Sequence, residues 1–229
     1  MFSLNFLKDL GLKAILGKEV FVMKTINLAP RMESHERYEA NRAINELISK
    51  SFTDSLRYYI TNEITVKPYG KAICTNETPF FVNPTTTIPS GDLEYSSTTL
   101  RDGGCAVFCF HQGLTTQLIY ADLEDLTEEI AKKGYYEPGK GTWHCLFDHF
   151  GSRRASHYAE IIDALLRGSI STCLVSNALY HNDSNRCGKL FVNVVGIDKS
   201  TVFIDDPNSG RIQMDFEAFL KSIQIAWIW

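Results

Sequence analysis

The chain changes from loop to helix within the segment Tyr95-Ser-Ser-Thr-Thr-Leu-Arg-Asp-Gly-Gly-Cys105. Residues 76–97, which lead into it, are rich in Pro, Thr, Ser and Gly, a composition typical of a long loop. Beyond Cys105, apolar side chains recur at the spacing of one helix face, at Phe110, Leu114 and Leu118. We therefore predict that a helix begins at Cys105.

A thiol at the start of a helix has a special electrostatic environment. The backbone N–H groups of the first turn are unpaired and lie at the positive end of the helix dipole, which lowers the pKa of a thiol. Gly103 and Gly104 allow the tight turn that an exposed nucleophile requires. Cys105 is therefore the candidate nucleophile, and the alternative for any single cysteine is a buried core residue.

The remainder of the chain separates into helices followed by strands. Helical periodicity marks residues 122–133, which Gly134 ends, and residues 156–167, and Thr142 is the candidate cap of a short helix between them. Alternating apolar residues predict strands at 170–175, 190–196, 201–205, 211–214 and 223–229. This order indicates an α+β fold with a mostly antiparallel C-terminal sheet.

The first part of the chain, residues 1–75, is predicted to be an extension that packs on a main domain of residues 76–229. Residues 19–27 alternate as a strand does, and Ser34 is the candidate cap of a helix whose apolar face includes Ile44 and Leu47. Residues 3–16 are interpreted as an amphipathic surface helix, with binding at a membrane interface as the alternative.

Composition narrows the class of protein. The chain has 229 residues, of which 44% are hydrophobic and 22% charged, with a net charge of -4, so we expect a globular protein without a nucleic-acid-binding surface. No apolar run reaches the length of about 18 residues that a membrane span needs. The six cysteines are irregularly spaced, which favours reduced thiols and a cytoplasmic location.

Several motifs, in order, resemble the bacteriocin-leader-peptidase-like branch of the papain-type cysteine peptidases. The loop-to-helix segment that ends at Cys105 is similar to the family's nucleophile region, and Pro79-Phe-Phe-Val-Asn83 resembles its Pro-Tyr-Phe-x-Gln segment. Phe191-Val-Asn-Val-Val-Gly-Ile-Asp198 resembles the strand that follows the catalytic histidine. Val202-Phe-Ile-Asp-Asp206-Pro207 resembles the next strand and its Asp-Pro turn.

This resemblance implies a papain-like fold and a role for each matching residue. Cys105 takes the place of the nucleophile, and Asn83 takes the place of the amide side chain that helps to hold the oxyanion. Asp206 takes the place of the aspartate that orients the histidine. The expected partner is a peptide or protein, and neither a cofactor nor a metal is expected.

The chain departs from the family pattern at the base. The histidine should immediately precede the aromatic-Val-x-Val-x-Gly run, and this chain has Leu190 there, preceded by Lys189. A thiol without a general base can still form a thiolate, but protonation of the leaving amine and activation of water both need an acid–base group. His181, in the polar loop before Leu190, is the candidate replacement, and the alternative is an exposed loop histidine.

Three hypotheses follow from these residues. The first is a cysteine-peptidase-like enzyme that acts on a peptide or related acyl bond through Cys105, with Asn83, Asp206 and His181 as the supporting residues. The second is a catalytically inactive pseudoenzyme that binds a peptide or protein in the former active-site cleft. The third is that Leu190 replaces an original histidine.

Overall fold

A computed structural model describes most of the chain from the loop-to-helix segment onward and part of the N-terminal extension. The described residues are 21–23, 28–44, 46–48, 50, 94–95, 98–117, 119–148, 152–198 and 200–229. Asn83, the predicted helix at residues 3–16 and the boundary near residue 75 lie outside them. None of the helices in these ranges is long and apolar enough to cross a membrane.

The first half of the described chain is mainly helical. Its elements are β1 (Phe21–Met23), α1 (Arg31–Ala40), β2 (Glu94–Tyr95), β3 (Thr98–Thr99), α2 (Leu100–Gly103), α3 (Cys105–Thr116), β4 (Ile119–Ala121), α4 (Leu123–Lys132), β5 (Tyr136–Glu137), β6 (Gly141–Thr142) and a 3-10 helix (His144–Asp148).

The second half is mainly β-structure. Its elements are β7 (Arg153–Arg154), α5 (Ala159–Leu166), β8 (Ser171–Ser176), α6 (Asn177–Tyr180), β9 (Lys189–Asp198), β10 (Thr201–Asp206), β11 (Gly210–Asp215), α7 (Phe216–Ser222) and β12 (Ile223–Ile228).

One six-stranded sheet organises the C-terminal half. The strand order is β11-β10-β9-β8-β12-β7, and every neighbouring pair is antiparallel. Strands β8, β9, β10, β11 and β12 lie where the alternating apolar pattern predicts them, within a few residues at each end. The predicted α+β class with an antiparallel C-terminal sheet is therefore confirmed.

Helices cover both faces of this sheet because its strands are apolar on both faces. Helices α5 and α7 pack on one face, against Val192, Val194 and other strand residues. Helices α3 and α4 and the 3-10 helix form a second core with Phe191, Val195 and Trp227 from the opposite face. Successive side chains of β9 thus enter two different cores, as the period of a strand requires.

Helix α3 begins at Cys105, as predicted, and runs through the interior. Most of its residues are buried, from Ala106 to Thr115, which exceeds the single apolar face that the sequence indicates. The helix can be buried nearly all round because its few polar side chains find partners inside the protein. Gln112, for example, donates a hydrogen bond to Asp205.

Local signals place two of the other helices correctly. Asp122 caps α4 by accepting hydrogen bonds from the backbone N–H groups of Glu124 and Asp125. Gly134 follows the end of this helix at a φ of 79°, a left-handed conformation that glycine adopts readily. Helix α5 is confirmed within the predicted residues 156–167, although it begins only at Ala159.

Two of the predicted helix caps are wrong. Thr142 lies in β6 and its hydroxyl hydrogen-bonds the Tyr95 hydroxyl over 2.7 Å, so a tertiary contact takes the place of the cap. Helix α1 begins at Arg31, which puts Ser34 inside the helix. Of the apolar face expected on that segment, Ile44 and Leu47 are exposed, at 57% and 67%.

Some contacts join the N-terminal segment to the rest of the protein. Strand β1 pairs with β4 in parallel, so part of the strand predicted at residues 19–27 is present. The Arg31 backbone N–H donates to the Lys133 carbonyl over 2.7 Å, and the Tyr135 hydroxyl donates to the Ala29 carbonyl over 3.0 Å. The division at residue 75 itself stays a prediction.

A chain of hydrogen bonds crosses the interior beneath α3. Asp205 accepts from Arg211 and from Gln112, with a 2.6 Å bond to the Gln112 amide. Asn193 then donates to the Gln112 side-chain oxygen over 2.7 Å and accepts from Thr172 over 2.6 Å. The network satisfies polar groups that would otherwise be costly to bury.

Gly113 shows how closely α3 approaches the C-terminal residue. A Cβ atom at this position would overlap the indole carbons of Trp229, whose N–H donates to Thr172 over 2.8 Å. We expect Gly113→Ala to lower the free energy of unfolding by about 1–3 kcal/mol, because overpacking forces the indole from its site. Urea unfolding measures the change, and Ala131→Gly provides no such clash and serves as a comparison for helix propensity. An unchanged midpoint for Gly113→Ala would contradict this packing.

Candidate active site

Cys105 is positioned by two consecutive helices. Helix α2 leads directly into α3, and the Gly104 N–H donates to the Leu100 carbonyl over 2.8 Å at their junction. A Cβ atom on Gly104 would lie 2.5 Å from that carbonyl oxygen, whereas its φ of -93° suits any residue. Glycine is therefore required here by lack of space and not by an unusual backbone conformation.

The Cys105 thiol lies against the backbone of β9. Burial has the largest effect on its sulfur and raises the pKa, and the nearby carboxylate of Asp206 acts in the same direction. The neighbouring backbone N–H groups of Phe191 and Ala106 favour the thiolate and oppose this shift. The balance raises the pKa of Cys105 above its ordinary value.

The expectation of a lowered thiol pKa is therefore wrong. It considered only the N-terminal turn of the helix, where unpaired N–H groups stabilise a negative charge. The folded chain adds desolvation, which is the largest effect on Cys105, and a like charge from Asp206. At neutral pH, the neutral thiol is thus the favoured form.

Leu190 immediately precedes Phe191, the β9 residue whose backbone N–H lies near the Cys105 thiol. Its side chain is buried, and it belongs to the core on the α5 and α7 face of the sheet, directly across from Val175 on β8. The half-buried Cys105 side chain packs against this same core. Leu190 therefore contributes an aliphatic side chain to the core against which Cys105 packs.

Asp206 ends β10 and its carboxylate is fully buried. One oxygen accepts a 2.7 Å hydrogen bond from the Asn208 backbone N–H, and the other accepts a longer bond of 3.4 Å from the Tyr180 hydroxyl. Burial is the largest cause that raises the pKa of Tyr180, and the charge of Asp206 raises it further. The phenol is therefore protonated at neutral pH and donates to the carboxylate.

His181 lies on the same side of the site as Tyr180. The two rings are in edge-to-face contact, with their centroids 4.8 Å apart. Burial and the charge of Arg186 lower the pKa of His181, while Asp206 and Asp183 act in the opposite direction. The structure thus brings His181 within the electrostatic influence of Asp206, but the hydrogen bond to that carboxylate comes from Tyr180.

Other histidines have separate surroundings. His111 hydrogen-bonds the Ala121 carbonyl over 3.0 Å, on the side of α3 that faces β4. The ring of His144 packs against Trp227, and His157 accepts a hydrogen bond from the Ala159 backbone N–H. The choice of His181 as the candidate base stays a prediction.

The structure brings together three of the four predicted site residues. Cys105 and Asp206 interact electrostatically, and Asp206 interacts in turn with His181. Asn83 lies outside the described residues, so its predicted position near the oxyanion is not described. The roles of these residues in a catalytic site stay predictions.

Tyr180 and Cys109 belong to this region, although sequence reasoning missed them. Cys109 follows Cys105 by one helical turn, and burial and the neighbouring Cys105 raise its pKa. Tyr180 is separated from Asp206 by 26 positions, and the hydroxyl meets the carboxylate only when α6 folds over the end of β10. The only sequence signal for Tyr180 was its place beside His181.

Comparison with known proteins adds no relative to this picture. No family model, curated protein or solved structure matches the chain.

Within the described ranges, no group of three or more His, Cys, Asp or Glu side chains is placed to hold a metal ion. The cysteines that the structure describes are all free thiols.

Proposed function

We propose that this protein is a papain-like cysteine-peptidase relative that binds a peptide or protein beside Cys105 without hydrolysing it. The observation that carries the proposal is the hydrogen bond from Tyr180 to Asp206, together with the buried leucine at position 190. Asp206 is thus engaged by a phenol, whereas hydrolysis would require it to orient an imidazole.

The state of the thiol also favours binding over hydrolysis. Attack on a peptide bond needs a thiolate and then an acid that protonates the leaving amine. The raised pKa of Cys105 disfavours the first requirement, and the raised pKa of Tyr180 keeps the phenol that hydrogen-bonds Asp206 from exchanging its proton readily at neutral pH. His181 has a lowered pKa and ring contact with Tyr180.

Hydrolysis is tested with a mixture of internally quenched fluorogenic octapeptides at pH 7. We expect the wild-type chain and the Cys105→Ala variant to give the same background rate, because Asp206 is hydrogen-bonded to the Tyr180 phenol, which does not act as a base at neutral pH. Papain serves as the positive control for the peptide mixture. Turnover that disappears in Cys105→Ala would overturn the proposal in favour of the enzyme hypothesis.

Binding is tested by selecting a displayed library of random dodecapeptides on the immobilised chain. Lys189 is exposed and begins β9, about 7 Å along the strand from Phe191, whose N–H contacts the thiol. The enriched peptides are expected to bind the Cys105→Ala variant with the same affinity as the wild-type chain. They are expected to bind the Lys189→Glu variant at least tenfold more weakly. The exposed Lys132→Glu on α4 is the matched control.

Two outcomes of the selection would contradict the binding proposal. The first is that no peptide is enriched above an unrelated immobilised protein. The second is that the enriched peptides respond equally to Lys189→Glu and Lys132→Glu, which would place them away from the thiol.

A further inference from the structure

We propose that Tyr180 is a positioning residue, because its hydroxyl occupies the carboxylate oxygen of Asp206 to which an acid–base group would have to hydrogen-bond. Two residues, Leu190 and Tyr180, therefore keep the site inactive. The inference rests on the proposed function and extends it. A chain that had lost only the base would regain acid–base chemistry with one substitution. This chain needs a second one, because the carboxylate already has a partner.

The hydrogen bonds that the Asp206 carboxylate accepts show how Tyr180 limits access to it. The carboxylate is fully buried, so water does not supply donors to it freely. One oxygen is bonded to the Asn208 N–H and the other to the Tyr180 hydroxyl. An imidazole introduced on β9 would compete with Tyr180 for the second oxygen.

Packing brings the relevant side chains to one place. Tyr180 and Leu190 belong to the same buried core, and Cys105 packs against it. Tyr180 is held by the loop from α6 to β9, which is closed at its base because Asn177 hydrogen-bonds the backbone of Cys187 and Gly188. The ring therefore has a fixed place, in contact with Phe219 and His181.

The titratable groups around the Cys105 thiol determine how its alkylation rate depends on pH. The titratable groups that interact with Cys105 in the described structure are Asp206, Cys109 and Tyr95. All three are acids, and each disfavours a negative charge on the sulfur when ionised. An imidazole that is hydrogen-bonded to Asp206 and accepts the thiol proton would become positively charged. Its charge would then stabilise the Cys105 thiolate.

The experiment compares four chains in a Cys187→Ser background, which removes the one exposed cysteine among those that the structure describes. They are the parent, Leu190→His, Tyr180→Phe and the double variant Leu190→His/Tyr180→Phe. The rate at which iodoacetamide alkylates Cys105 is followed from pH 5 to pH 10 by mass spectrometry of the peptide. A second double variant, Leu190→His/Tyr180→Leu, is measured in parallel. Its smaller side chain at position 180 leaves more room for the imidazole if the first double variant does not fold.

We expect the double variant to react at least tenfold faster at pH 7 than Leu190→His, with Tyr180→Phe no faster than the parent. Nitrogen-15 NMR gives an independent readout of the introduced imidazole, whose pKa is expected above the unperturbed value of about 6.5 only when the phenol is absent. A purely structural role of Tyr180 would change stability without moving this imidazole pKa.

Equal alkylation rates and equal imidazole pKa values in Leu190→His and the double variants would overturn the inference. This outcome would leave the proposed function untouched, because that proposal depends on the activity and peptide binding of the unmodified chain. Conversely, hydrolysis by the unmodified chain that requires Cys105 would contradict the proposed function whatever the variants at position 180 do.

Discussion

Asp206→Asn is expected to raise the rate at which iodoacetamide alkylates Cys105 at pH 7 several-fold, because a lower thiol pKa increases the fraction of thiolate. The physical reason is that the Asp206 carboxylate raises the pKa of Cys105. The amide is nearly the same size, keeps an acceptor for the Asn208 N–H and leaves Tyr180 a partner. Mass spectrometry of the Cys105 peptide measures the rate.

The direction of this effect separates the two main hypotheses. In an active thiol–imidazole pair, the aspartate stabilises the imidazolium that accompanies the thiolate, so its loss lowers reactivity. In the proposed inactive site, the negative charge acts on the thiol without such an imidazolium, so its loss is expected to raise reactivity. Asp163→Asn, which changes an exposed carboxylate on α5, is the matched control and should leave the rate unchanged.

A slower reaction of Cys105 in Asp206→Asn would contradict the proposed inactive site. It would indicate that a base couples the carboxylate to the thiol. The pH profile supports the same decision, because the parent chain is expected to react with an apparent thiol pKa above its ordinary value, and the variant with a lower one.

Asp205→Ala is expected to lower the free energy of unfolding by about 3 kcal/mol, the upper end of the cost of leaving a buried hydrogen-bond donor without its acceptor. Asp205 has 1% of its side chain exposed and forms two hydrogen bonds with Arg211, at 2.7 and 2.9 Å. Its removal leaves the guanidinium without this partner and the buried Gln112 amide without an acceptor. Urea unfolding followed by circular dichroism measures the loss.

A double-mutant cycle with Arg211→Ala identifies the origin of the loss. If the ion pair is responsible, the double variant is less destabilised than the sum of the single variants. Asp163→Ala again serves as the control for loss of an exposed carboxylate, and a change below about 0.5 kcal/mol is expected there. A similarly small effect of Asp205→Ala would mean that the network beneath α3 contributes little to stability.

Local sequence signals predicted a large part of the architecture. The period of the apolar residues located strands β8 to β12, and the change from the glycine pair to an apolar helix located the start of α3 at Cys105. Helical periodicity located α4, and Gly134 marked its end. Thr142 failed as a cap because its hydroxyl instead meets Tyr95, a contact that local spacing does not encode.

The chemical state of the site was harder to predict. Placement of Cys105 at a helix start was correct, yet the predicted shift of its pKa had the wrong sign, because desolvation and the charge of Asp206 depend on the packed neighbours. Tyr180 was missed for the same reason. Its hydroxyl acquires a role only through the approach of α6 to the end of β10.

The amino-acid sequence by itself determined the order of helices and strands and the placement of a thiol at a helix start, because periodicity and glycine positions act over a few residues. Only the tertiary structure decided that the thiol is half-buried beside Phe191 and Asp206, and that a phenol hydrogen-bonds the carboxylate. Burial and electrostatic interaction depend on distances in space between residues that are far apart along the chain.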